Sequence, residues 1–252
     1  MRLLLAPILL LAATLACGQG TRMVFPNGAR MQSGDTMVIT RDLELRMPGT
    51  SKTRADLWAD TELMRFGSLP VRAQGKVYTV ELWAGDRPAD GDGGFGPHIA
   101  VLAVFPPGAS APSDVAEVAT DRETYLAKKV VPLGPDDAFE VTNAHLNAGE
   151  DFNQVTLFHL RDGRLRRIAE AGTYGARSPN CADSVRQVLT WQAQGPDELP
   201  PIVANLEIIT APADITKEDC PNRKVAERRK LVQTTYRWDA KLARYVEERA
   251  RK

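Results

Sequence analysis

The sequence predicts a mainly β fold, an antiparallel meander or sandwich or a barrel-like sheet, with at most one or two short helices. Strict apolar/polar alternation recurs in several segments, the pattern of strands with one buried face. An Asp-Gly pair, Asp162-Gly163, separates two such segments and supplies the positive φ angles of a two-residue hairpin turn. Helical periodicity is scarce.

Taken in chain order, the first strand is Met37 to Met47, where Met37, Ile39, Leu43, Leu45 and Met47 share a face that only Arg41 interrupts. Lys76 to Ala84 alternates likewise, with Tyr78, Val80 and Leu82 on one side. Ile99 to Phe105 is apolar on both sides, as a strand covered on both faces must be. The stretch from Phe105 to Pro112 cannot join a ladder and reads as a loop, and residues 106–114 are the one place where a subdivision of the domain would fall. Ser113 or Asp114 followed by Val115, Val118, Ala119, Arg122 and Leu126 predicts the one helix. Ala138 to Leu146, a turn at 147–151, then Phe152 to Arg161, Asp162-Gly163 and Arg164 to Ala169 make consecutive hairpins, hence neighbouring antiparallel strands. Further strands are expected around Val185 to Trp191, over Ile202 to Ile209 and over Lys230 to Trp238, while the tail from Leu242 has helix-forming composition but little apolar face.

The amino terminus carries Arg2 and then an apolar run from Leu3 to Leu15, the layout of a secretory leader and too short to span a bilayer, which needs about 20 apolar residues. Residues 1–16 are therefore expected to be a signal peptide, and residues 17–252 one β-rich domain. Thr14-Leu15-Ala16-Cys17-Gly18 resembles the lipobox of bacterial lipoproteins, although Thr14 and Leu15 exchange the usual character of their positions. The resemblance implies acylation of Cys17, membrane attachment through that lipid and, with Gly18 next, the periplasmic face of the outer membrane. Ordinary cleavage after Ala16 or Gly18 would leave a soluble periplasmic or secreted protein. In an oxidising compartment the remaining pair, Cys181 and Cys220, is expected to form a disulfide.

Basic and acidic residues balance at 32 each, which gives no electrostatic case for nucleic acid. The balance is uneven, with residues 222–252 holding 11 Lys/Arg against 4 Asp/Glu. Candidate chemistry clusters at the 147–151 turn. Asn143, Asn147 and Asn153 are candidate binding residues, and His145 with Glu150 or Asp151 a candidate catalytic pair. Asp86, Asp90 and Asp92 offer oxygen donors for a cation, but Gly94 and the missing later Glu depart from a calcium loop, so no metal or other cofactor is expected. Tyr236 and Trp238 share one side of a strand and form a candidate aromatic surface for a protein or glycan. No G-x-S-x-G elbow or His-x-x-x-His spacing occurs. The expected function is a non-catalytic envelope binding or structural protein. The alternatives are a periplasmic hydrolase using a carboxylate pair or His145, and an inhibitor or chaperone of another envelope protein.

Overall fold

The computed structural model describes residues 29–33, 36–39, 44–46, 53–55, 62–86, 98–110, 112–118, 123–147, 149–176, 183–212 and 226–248. Among these there is no helix, and every paired strand is antiparallel. A six-stranded sheet holds β1 (Ala29–Ser33), β2 (Thr36–Ile39), β5 (Glu62–Ala73), β6 (Lys76–Asp86), β7 (His98–Phe105) and β8 (Asp114–Glu117) in that order, and β3 (Glu44–Arg46) pairs separately with β4 (Thr53–Ala55). A larger sheet runs through β10 (Val131–Leu133), β11 (Asp136–Asn147), β12 (Glu150–Arg161), β13 (Arg164–Ala176), β14 (Asp183–Ala193), β15 (Ile202–Pro212), β16 (Arg228–Asp239) and β17 (Arg244–Glu247), with β9 (Glu123–Leu126) also on β11.

The expected meander is present. Asn147 pairs with Glu150 and Arg161 with Arg164, so β11, β12 and β13 follow one another through two tight turns. Asp162 and Gly163 have φ of 55° and 67°, the backbone that an Asp-Gly pair adopts cheaply. This meander is the middle of three layers. On one side Phe139, Val141, Phe158 and Leu160 meet Val71, Val80, Leu82, Leu102 and Val104 of the six-stranded sheet. On the other, Ala138, Val155, Leu157 and Ile168 meet Trp191, Ile202, Ala204 and Tyr245. Covered twice, β12 is buried at every position from Val155 to Leu160.

Polar clamps fix the first two layers. The buried Asp137 carboxylate accepts from the Arg72 main-chain N–H at 2.9 Å and from its guanidinium at 3.0 and 3.2 Å. At the turn tips Gln74 donates to Asp162 through its side-chain amide, and its amide oxygen accepts from the Asp162 main-chain N–H. The β10–β11 turn sits against the 196–198 loop so closely that a Cβ on Gly134, where φ is +60°, would overlap the Asp197 carbonyl oxygen.

Two expectations are corrected. The described residues between Val115 and Leu126 are strands and not helix: β8 pairs with β7, and β9 with β11. Val115, Ala116, Glu117 and Val118 are buried in succession, and the edge of β7 takes them as a ladder partner. Asp114 does not cap a helix either, since its carboxylate accepts the Leu165 N–H at 2.9 Å. Met37 to Met47 is not one strand, because β2 and β3 belong to different sheets. By contrast, the 106–113 segment is a loop joining adjacent strands of one sheet, and Ala100 to Phe105 is wholly buried. In the tail, which the sequence left open, Arg244–Glu247 forms the edge strand β17.

Candidate functional site

The second interlayer space ends in a groove because β13 and β14 part company. They pair only at Gly175 with Arg186 and Ala176 with Val185. Beyond this, β14 crosses towards β10, and β17 returns beside β13. The side of β13 that β14 leaves is tied down by side chains. Tyr236 donates its hydroxyl to the Glu170 carbonyl at 3.3 Å, and Gln187 accepts the Tyr174 N–H at 3.0 Å. Across from it, β17 is held on β16 by the 240–243 turn, which the Asp239 carboxylate secures by accepting the N–H groups of Lys241 and Leu242. The side of β17 away from β16 pairs with no strand among the described residues.

Between the two strands lies a groove of about 850 Å³, lined among others by Arg166, Glu170, Tyr236, Arg244, Tyr245 and Glu247. Arg167 spends its charge on Glu170 at 3.0 Å. Arg166 and Arg244 have no carboxylate partner among the described residues.

Beneath the groove is an aromatic cluster. Trp238 and Tyr245 meet edge to face at 5.5 Å, and His159 lies 6.1 Å from each ring. Arg161 stands over Trp238 at 5.7 Å, and Trp191 packs on Tyr236 at 6.0 Å. Tyr245 donates to the Pro200 carbonyl at 3.0 Å, and burial pushes its phenol strongly up. Tyr236 is also raised, by burial first and then by Glu247 and Glu170. Burial, with Arg161 and Arg166 adding to it, lowers His159 to about 4. His159 Nε2 and Trp191 Nε1 are buried with no hydrogen-bond partner. At neutral pH the site thus offers the guanidinium groups of Arg166 and Arg244, the Glu247 carboxylate and aromatic faces, while its phenol hydroxyls are engaged by main-chain carbonyls and its imidazole is neutral and enclosed. Such a set binds an anion better than it transfers a proton.

The residues singled out from sequence are distributed differently. Asn143 is buried and structural: its Oδ1 accepts from Thr124 at 2.8 Å, and its Nδ2 donates to the Val118 carbonyl at 3.0 Å. His145 shares that face by strand period and pairs with Phe152, whose ring lies 5.1 Å from Tyr174. Glu150 accepts the Tyr174 hydroxyl at 2.9 Å. Asp151 and Asn153, opposite Leu146 and Ala144, fall on the other face of the sheet, so the hairpin does not gather both acids around His145. Tyr236 and Trp238 are half-buried over the second core, and Tyr236 lines the groove. Asp86 ends β6, and Asn147 closes the β11–β12 hairpin. Cys17, Asp90, Asp92, Cys181 and Cys220 lie outside the described residues. No cluster of three metal-ligating side chains occurs among the described residues, and no helix there is long and apolar enough to cross a membrane.

The chain matches no family model, no curated protein and no solved structure. Its site therefore has to be read from its own residues. Sequence reading did not single out Arg166 and Arg244. Arg164-Leu165-Arg166-Arg167 places Arg166 on the side opposite Leu165, where an exposed cation is ordinary and carries no signal of its own.

Proposed function

We propose that this chain is a non-catalytic binding protein of the cell envelope that holds its partner in the groove between β13 and β17. The observation that carries the reading is the pair of guanidinium groups, Arg166 and Arg244, left without carboxylates above a floor of Tyr236 and Tyr245. Interface cores favour aromatic and arginine side chains in this combination. Export is part of the proposal, resting on the leader and the lipobox-like Thr14 to Gly18: removal of residues 1–16, a lipid on Cys17, and residence at the periplasmic face of the outer membrane. A Cys181–Cys220 disulfide belongs to it as well, resting on the even pair of cysteines left in an oxidising compartment.

The test is recovery of the native protein from the membrane fraction, with mass spectrometry of its amino-terminal peptide, its thiols and its co-purifying partners. Acylated Cys17, no free thiol before reduction, and a partner lost from the Arg166→Glu/Arg244→Glu variant are expected. Partner retention by that variant, with its melting temperature unchanged, would remove the groove from the reading. An intact chain beginning at Met1 in the cytosol would remove export.

A further inference from the structure

We infer that the outer half of β16 is a docking edge for an extended segment of a partner protein, in which two apolar residues are followed by an acid. This stretch of β16 does not line the groove, so the inference goes beyond the reading above and stands apart from it. Main-chain geometry carries it, and the side chains name the occupant.

β17 covers β16 only from Tyr236 to Asp239, and the Glu248 N–H on the Thr235 carbonyl at 2.7 Å extends that ladder by one residue. From Arg228 to Thr234 the side of β16 away from β15 pairs with no strand among the described residues. Alternate residues of an antiparallel strand turn both main-chain groups to the same side. The Thr235 bond makes the odd-numbered residues the outward ones, so Arg229, Leu231 and Gln233 present three N–H and three C=O groups along a bare edge. No hydrogen bond reaches the main chain of Leu231 or Gln233 on that side, and every side chain from Arg228 to Gln233 is exposed.

Elsewhere the same molecule plugs such an edge. Away from β6, β5 pairs with β2 only from Glu62 to Met64. At its next outward positions Pro70 has no N–H, Arg72 gives its N–H to Asp137 at 2.9 Å, and Gln74 gives its N–H to Asp136 at 2.8 Å. Bare strand groups are satisfied in register by another strand, and β16 lacks the plugs that β5 carries.

Along the bare stretch most of the charge is already spent. Arg229 holds Glu227 at 2.6 Å and Glu207 at 3.0 Å, Arg228 is engaged as well, and at the far end Glu248 is held by Arg237 at 2.8 Å. Gln233 gives its amide to Asn205 at 2.7 Å. What is left for a ligand is Lys230, which has no carboxylate partner among the described residues, with Leu231 57% exposed and Val232 38% exposed. A segment running antiparallel, as every paired strand here does, meets Val232, Leu231 and Lys230 in that order, so its complementary sequence is apolar, apolar, acid. A second copy of this chain fits poorly. Registers centred on Arg229 or Lys230 set a cation against its own mate, and those centred on Leu231 or beyond run the copy's strand into Glu248.

The experiment uses the full mature protein and the end-blocked peptide Thr-Val-Val-Glu-Thr-Ser, whose second valine lies opposite Leu231 in this register. The comparison probes carry lysine in place of glutamate, an N-methyl group on the second valine, whose N–H faces β16, or an N-methyl group on the first valine, whose N–H faces away. Affinity is read by calorimetry, and exchange of single amide protons by NMR. The parent peptide and the one methylated on its first valine should bind alike. Methylation of the second valine should weaken binding at least about tenfold, and lysine at least about threefold. Exchange should slow at Leu231. Leu231→Pro removes an outward donor and no bond to β15, and should abolish binding; Lys230→Glu should turn the preference towards the lysine peptide at an unchanged melting temperature. Equal affinity of the two methylated peptides would overturn strand pairing, and equal affinity of the glutamate and lysine peptides would overturn the acidic assignment. Failure of the native protein to bind the parent peptide overturns the inference as a whole, and three further measurements say what holds the edge instead. Binding restored in a chain ending at Glu248 would give it to residues 249–252, a sedimenting dimer broken by Leu231→Pro would give it to a second copy, and self-association of Lys230→Thr alone would make Lys230 a guard against pairing.

Discussion

His159 sits where burial and the charges of Arg161 and Arg166 oppose a positive charge, and its imidazole is held at about 4. The unfolded chain takes up a proton at this residue near pH 6.5, whereas the native state does so only near 4. The native state therefore loses stability as pH falls through that window and nothing further below it; the full difference is about 3 kcal/mol. His159→Phe keeps a ring in the cluster and removes the buried, unpartnered Nε2. Urea melts of both proteins at pH 7.5 and pH 4.5 should show a smaller loss in the variant. Parallel losses would mean that carboxylates elsewhere set the acid limit. Sequence reading singled out His145 and not His159, because burial depends on which layers meet at β12, a long-range fact.

At the level of elements, legibility followed locality. Asp162-Gly163 and the 147–151 turn could be read because two-residue chemistry sets the backbone there. The same alternation identified β6, β15 and β16, whose faces are sorted by neighbours within a hairpin. The segment from Val115 to Leu126 was misread because its apolar spacing satisfies a helix as well as an edge strand, and only the presence of β7 decides. The groove was illegible for a related reason: β17 faces β13 only because β14 leaves it after two residue pairs. Turns also hold the clearest element-scale weakness. Gly134→Ala forces a side chain into positive φ and against the Asp197 carbonyl, and should cost about 2–4 kcal/mol, read as a drop in melting temperature. An unchanged melt would mean that the 196–198 loop yields without penalty.

Across the whole molecule, the six-stranded sheet and the meander are joined by apolar contact and by polar clamps, of which the buried Asp137 carboxylate makes the most bonds. Asp137 holds the Arg72 main-chain N–H as well as its guanidinium, so Asp137→Ala strands a donor at the interlayer junction. A loss of about 1–3 kcal/mol is expected in denaturant melts. Arg72→Met keeps the main-chain contact and should lose less. Equal losses from the two variants would assign the effect to the ion pair instead.

The doubly covered meander has a consequence for biosynthesis. The apolar inner face of the six-stranded sheet, from Val71 to Val104, finds its cover in residues that leave the ribosome later, between Phe139 and Leu165. A chain ending at Val118 would carry every strand of that sheet and nothing to lay it on, and should self-associate into insoluble material. The growing polypeptide passes through the same condition, so the first half needs shelter from its own kind until the second half arrives.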